Sequence, residues 1–221
     1  MKETMKEPVL LLHGLWMNRY AMHALGHRLR DDGFDATAIT YHSMRDTVED
    51  HVAAVEHKLE AMRKESDQMR RIHLVGHSMG GVVALKVLER MRDRALAARI
   101  GRVVLLGAPV AGCESGAAAS RMLAVQWLLG RSADLWKSGY RLQIPEGCTV
   151  GSIAGTRPLG LAMALVQLSG ANDGVVRVDE TRLTGLADHL VLPVSHTGML
   201  ISRNVARQCT NFLRDGRFSR A

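Results

Sequence analysis

The chain has 221 residues, 47% hydrophobic and 23% charged, a composition that suits one soluble domain built on one sizeable core. Its net charge is +7, but acids interrupt the basic residues, as in RMRDRALAARIGR (Arg90–Arg102), and no Lys/Arg run interleaves with aromatics as a nucleic-acid binder would have it. No apolar run reaches the roughly 18 residues needed to span a bilayer, which excludes stable membrane insertion.

In chain order, short apolar runs alternate with helical patterns, the signature of a parallel sheet covered on both faces. PVLLL (Pro8–Leu12) is the first predicted strand. Its apolar stretch is shorter than the roughly 7–15 residues of a signal peptide, so a cytoplasmic location is expected. A helix follows from Asn18, a good N-cap, to Asp32, with Gly33 as its C′ residue. DATAITY (Asp35–Tyr41) is a second strand. Val48, Val52, Val55, Leu59 and Met62 recur at spacings of four and three, one apolar helical face. RIHLVG (Arg71–Gly76) is the third strand, and the helix behind it, Met79–Met91, is apolar nearly all round and so buried.

RVVLLGAP (Arg102–Pro109), TVGSIAG (Thr149–Gly155) and HLVLPV (His189–Val194) are strands four to six, and an amphipathic helix from Gly198 to Leu213 closes the chain. An excursion between strands four and five, Val110–Cys148, is long enough for a helical cap within a single domain of residues 1–221. A second apolar insert, Pro158–Leu168, follows strand five. The odd cysteine count (Cys113, Cys148, Cys209), with no CxxC, predicts reduced thiols; Cys113 and Cys148 would pair only in an exported protein.

Gly76-His77-Ser78-Met79-Gly80 fits G-x-S-x-G between a predicted strand and a predicted helix. That setting lifts a serine above the sheet on a sharp turn, with glycines where side chains would collide. Gly81 lets the helix pack closely. A serine hydroxyl needs a base. His196, after the last strand in LPVSHTGML, lies at the sheet edge where Ser78 must lie. His42, at the end of strand two, is its weaker rival. His23, His27, His51 and His57 are expected to face solvent, His73 to be a bonded core residue, and His77 to be poorly directed toward its own neighbour.

The base needs an acid to hold its tautomer, and GANDGVV (Gly170–Val176) supplies Asp173 at the same edge, ahead of Asp179, Glu180 and Asp188. The oxyanion needs amide donors, one from Met79 and one from LLHGLWMN, where Gly14 frees the backbone to turn inward the amide of Leu15 or, failing that, Trp16.

HGLW, GHSMGG, NDGVV and SHTGML, in that order and at those strand ends, resemble the α/β-hydrolase superfamily, and within it the small bacterial esterase/lipase branch. The resemblance covers essentially the whole chain. It implies a minimal α/β-hydrolase fold of about six mostly parallel strands with helices on both faces, without the two antiparallel N-terminal strands of the larger pattern. It implies Ser78 as nucleophile, Asp173 as acid, His196 as base, and Leu15 and Met79 as oxyanion donors. The expected activity is cleavage of small-molecule or lipid carboxylic esters through an acyl-enzyme, with Trp16, Met17 and Met199 around the substrate and no metal or organic cofactor. The same triad would serve an acyltransferase or thioesterase, and a non-catalytic binding protein is the rival of another class.

Overall fold

Period-two alternation along the strands sorts the core into two layers. The computed structural model describes residues 6–65, 70–91, 99–111, 142–159 and 168–220. Its single sheet contains β1 (Pro8–Leu12), β2 (Asp35–Ala38), β3 (Ile72–His77), β4 (Ile100–Leu106), β5 (Thr149–Gly155) and β6 (Asp188–Leu192). All neighbours pair in parallel, in the order β2-β1-β3-β4-β5-β6.

The helices are α1 (His23–Asp31), α2 (Val48–Glu65), α3 (Met79–Met91), α4 (Gly198–Ile201) and α5 (Arg203–Asp215). Leu10, Leu12, Leu74, Val103 and Leu105 join one core with the apolar faces of α2 and α3. Val9, Leu11, Val75, Val104 and Leu106 join the other with those of α1 and α5. Both sheet faces are therefore covered, which is why these strands read as continuous apolar runs. The expected α/β architecture is the one observed, with every strand parallel.

From β1 the chain moves to β2 at the sheet edge, then crosses back to place β3 on the other side of β1. The strand order reverses between β1 and β3, and ligands of open parallel sheets bind outside the C-terminal ends of strands at such a point. His13–Leu15 leaves β1 there, and Ser78 leaves β3.

Several elements differ from expectation in extent. Asn18 caps a short 3-10 turn, Arg19–Met22, its Oδ1 accepting from the Tyr20 N–H at 3.0 Å. The helix that follows ends as predicted. Gly33 takes φ +93°, its N–H donates to Arg30 O at 3.1 Å, and the Phe34 N–H donates to Leu29 O at 3.0 Å. The second strand stops at Ala38 rather than Tyr41, because its pairing with β1 ends at Leu11 and the Tyr41 N–H turns instead to the His13 ring. The closing helix is two helices. Ser202 is extended at ψ 125° and caps α5 through its Oγ, and Arg28 donates to the exposed carbonyl of Ile201 at 2.6 Å.

His51 is buried rather than exposed, because it lies on the same face of α2 as Val48, Val52 and Val55. His23, His27, His42 and His57 are exposed. The core of the expected cap, with Cys113, and most of the second insert lie outside the described residues. Cys148 and Cys209 are free thiols. Among the described residues no helix is long and apolar enough to cross a membrane.

Candidate active site

Ser78 stands between β3 and α3 with φ +55°, a conformation that costs an L-residue about 1–2 kcal/mol. Three contacts hold it there. Its N–H donates to Leu106 O at 2.8 Å, its carbonyl accepts from the Gly81 N–H at 2.9 Å, and Gly14, just beyond β1, packs against its Cβ. A Cβ on Gly76 would lie 2.5 Å from Gly80 O, and one on Gly80 would lie 2.4 Å from Leu12 O. Both glycines are therefore required by close backbone approach. A Cβ on Gly81 would meet that of Ala108 at 2.5 Å, so α3 seats against the end of β4 only because residue 81 has no side chain.

Asp173 is buried on the turn beyond β5 and divides two tasks between its oxygens. Oδ1 accepts from the Val175 and Val176 N–H groups at 2.9 and 2.7 Å, closing the Asp-Gly turn with Gly174 at φ +99°. Oδ2 is left to face Nδ1 of His196 at 2.7 Å. Nδ1 must carry the proton of that bond, which leaves Nε2 as the basic nitrogen. The competing acids are engaged elsewhere: Asp179 with Arg177, Asp188 with Arg220 and the Phe218 N–H, and Glu180 with the Arg177 N–H. His42 is exposed and faces Asp46 at 3.4 Å.

His196 is held through its backbone as well as through Nδ1. Its N–H donates to Asp173 O at 2.9 Å, and its carbonyl accepts from Nε2 of His77 at 3.0 Å. The two imidazoles lie 4.6 Å apart. Burial pushes His77 down to about 3, and the adjacent His196 pushes it the same way, so it serves as a neutral donor. Sequence reasoning assigned His77 no role. Only the fold shows that it reaches past its neighbour Ser78 to hold residue 196.

Gly107 was also unforeseen. It follows β4 at φ +55°, and a Cβ there would sit 2.9 Å from Asp173 Oδ2 and 3.1 Å from His196 Nδ1. The serine N–H is bonded to Leu106 and the His–Asp pair lies over Gly107, so one peptide of β4 separates the serine from the imidazole. The structure records no hydrogen bond between Ser78 Oγ and His196 Nε2; such bonds are often long before substrate arrives.

Gly14 lies against the serine, with a Cβ there only 3.0 Å from Ser78 Cβ. Its φ is not positive, so close approach, rather than the freedom to turn an amide, is what requires glycine. Among the described residues neither the Leu15 N–H nor the Met79 N–H donates to a protein acceptor. Leu15 is half-buried, while Trp16 is 63% exposed with φ +63°. Met17 packs partly into the α1 side of the core. Met199 is fully buried behind the site against Gly155, and gives no surface to a substrate. Among the described residues no cluster of His, Cys, Asp and Glu suits a metal ion.

Residues 9–201 match the model of the alpha/beta hydrolase family. The fold resembles a Bacillus licheniformis lipase in mature form, with a TM-score of 0.74 and 19% identity over 97% of this chain and 93% of the other. It also resembles a metagenomic carboxyl esterase (TM-score 0.67, 17% identity, 97% of this chain and 76% of that one). A Legionella pneumophila phospholipase gives a TM-score of 0.67 at 16% identity, over 94% of this chain and 57% of the larger one. No curated protein matches by sequence.

Proposed function

The chain belongs to the alpha/beta hydrolase family, and on that premise we propose that it is a serine hydrolase that cleaves carboxylic esters of small or lipid-like acyl groups. Ser78 Oγ attacks the ester carbonyl while Nε2 of His196 takes its proton. Asp173 holds the imidazole in the Nδ1–H tautomer and stabilises the imidazolium that forms. The carbonyl oxygen, negative in the tetrahedral intermediate, accepts from the Leu15 and Met79 N–H groups. Collapse expels the alcohol with the proton from His196 and leaves an acyl-enzyme on Ser78. His196 then activates water, and a second tetrahedral intermediate releases the acid and restores the serine.

The observation that carries this reading is the buried 2.7 Å pair of His196 and Asp173, set over the peptide that fixes the serine turn at the sheet's switch point. The reading is supported by the Leu15 and Met79 N–H groups near that serine, which among the described residues have no protein acceptor, and the names of the solved relatives (lipase, carboxyl esterase, phospholipase) agree with an ester substrate. Trp16 and Met17, on the loop that carries Leu15, would contact the acyl group.

A panel of p-nitrophenyl esters of graded chain length, with acyl-CoA thioesters beside them, tests the proposal. The expected result is ester turnover by wild type, none by Ser78→Ala, and a fall of about 10⁴ in kcat for Asp173→Asn. No turnover of any ester by folded wild type would overturn it. Near-normal rates for Asp173→Asn would remove residue 173 from the mechanism.

A further inference from the structure

The Leu15 N–H belongs to the peptide whose carbonyl is that of Gly14. In a planar trans peptide, C=O and N–H point in opposite directions, so whatever fixes the carbonyl aims the N–H. No peptide among the described residues is cis. The Gly14 carbonyl lies 2.9 Å from Nδ1 of His13, a residue with no exposed surface. The other ring nitrogen, Nε2, faces the Tyr41 backbone N–H at 3.4 Å and must therefore accept. The proton is thus on Nδ1, and Nδ1–H donates to Gly14 O.

The peptide before it is held as well, because the Tyr41 hydroxyl donates to the His13 carbonyl. Tyr41 stacks on the His13 ring at 4.1 Å, and the His51 ring lies 4.7 Å from that of Tyr41. His77 lies against the same loop, with its Nδ1 3.2 Å from where a Gly14 Cβ would be. Burial lowers the pKa of His13, and the neutral ring is the one this geometry requires. A second ring proton would collide with the Tyr41 N–H.

We propose that His13 is a positioning residue: its imidazole, backed by Tyr41, clamps the Gly14–Leu15 peptide so that the Leu15 N–H faces Ser78. The proposal rests on the serine-hydrolase reading, since the clamp matters only if that N–H receives a developing negative charge. Gly14 against Ser78 sets the position of the peptide, and His13 sets its rotation. Neither residue touches substrate.

The test compares His13→Leu, His13→Asn and Tyr41→Phe in the full chain. His13→Leu frees the Gly14 carbonyl, and an oxyanion donor that swings away costs about a hundredfold in kcat with KM within about twofold. The amide nitrogen of His13→Asn takes the place of Nδ1–H, and at least a tenfold share of that loss is expected to return. A merely structural role would leave the Asn variant no better than Leu. If His13→Leu does not fold, Tyr41→Phe, which keeps the stack, carries the comparison, with kcat expected to fall about tenfold at unchanged KM. A kcat within threefold of wild type in folded His13→Leu, or in Tyr41→Phe where His13→Leu does not fold, overturns the proposal.

A readout independent of turnover is the ring ¹⁵N spectrum of His13 between pH 6 and 8. The clamp requires the neutral Nδ1–H tautomer, and a ring protonated on Nε2 would overturn it even in an active enzyme. A wild type inactive on every ester, with the Nδ1–H tautomer in place, would instead sink the hydrolase reading and leave the hold on the peptide standing.

Discussion

Replacing Gly107 with alanine probes whether the backbone of β4 holds the His–Asp pair in working register. Two penalties can be separated. The first is conformational: at φ +55° an alanine costs about 1–2 kcal/mol relative to right-handed backbone. For a chain of this size, each kcal/mol moves Tm by about 2–4 °C, so a loss of about 2–8 °C is expected. The second is local. The added methyl would stand 2.9 Å from Asp173 Oδ2, 3.1 Å from His196 Nδ1 and 3.3 Å from His196 Cε1.

Non-bonded atoms rest near 3.5 Å, so the pair must yield by about half an ångström. The backbone bond from the His196 N–H to Asp173 O resists that shift, and the 2.7 Å side-chain bond opens instead. A displacement of about 1 Å costs about a hundredfold in rate, which puts the expected kcat loss between about tenfold and a hundredfold. Gly147→Ala is the control, because residue 147 has φ +82° and nothing within 4 Å of where its Cβ would stand, so it suffers the conformational penalty alone. The assay is kcat on one p-nitrophenyl ester beside a thermal melt for both variants. Equal kcat in the two variants would refute the view that Gly107 keeps the space beneath the Asp173–His196 pair.

Ser78→Gly should be inactive yet more stable than wild type by about 1 kcal/mol, since it relieves the strain at φ +55°. Ser78→Ala should show no such gain, and equal urea midpoints for the two would contradict the strained turn. Stability should also fall as pH drops. Burial lowers the folded-state pKa of His77 to about 3, and lowers those of His13, His51, His73 and His189. The unfolded chain therefore binds more protons below about pH 6.5. The stabilisation is complete above that value and declines as pH falls toward 3, with His77 alone weakening the folding equilibrium about tenfold per pH unit. Urea unfolding at pH 7, 6 and 5 checks this, and a flat profile would refute it.

Much of the candidate site was legible because it is written in local pattern. The G-x-S-x-G run, the strand before it and the apolar helix after it each follow from steric and periodic rules acting over a few residues. The order Ser78, Asp173, His196 and their places after the third, fifth and sixth strands put all three at one edge of a parallel sheet. The burial of His51 was open to the same reasoning, since residues 48, 51, 52 and 55 share a helical face; polarity misdirected the expectation.

The chain by itself thus determined the kinds and order of the described strands and the sheet edge at which Ser78, Asp173 and His196 stand, because hydrophobic period and turn chemistry are short-range properties. Only the tertiary structure decided that His77 donates to the carbonyl of His196, that Gly107 underlies the side chains of Asp173 and His196, and that Tyr41 and His13 bond the peptides before Leu15. Those partners are separated by whole strands and helices, and strand order, which no local period encodes, is what makes them neighbours.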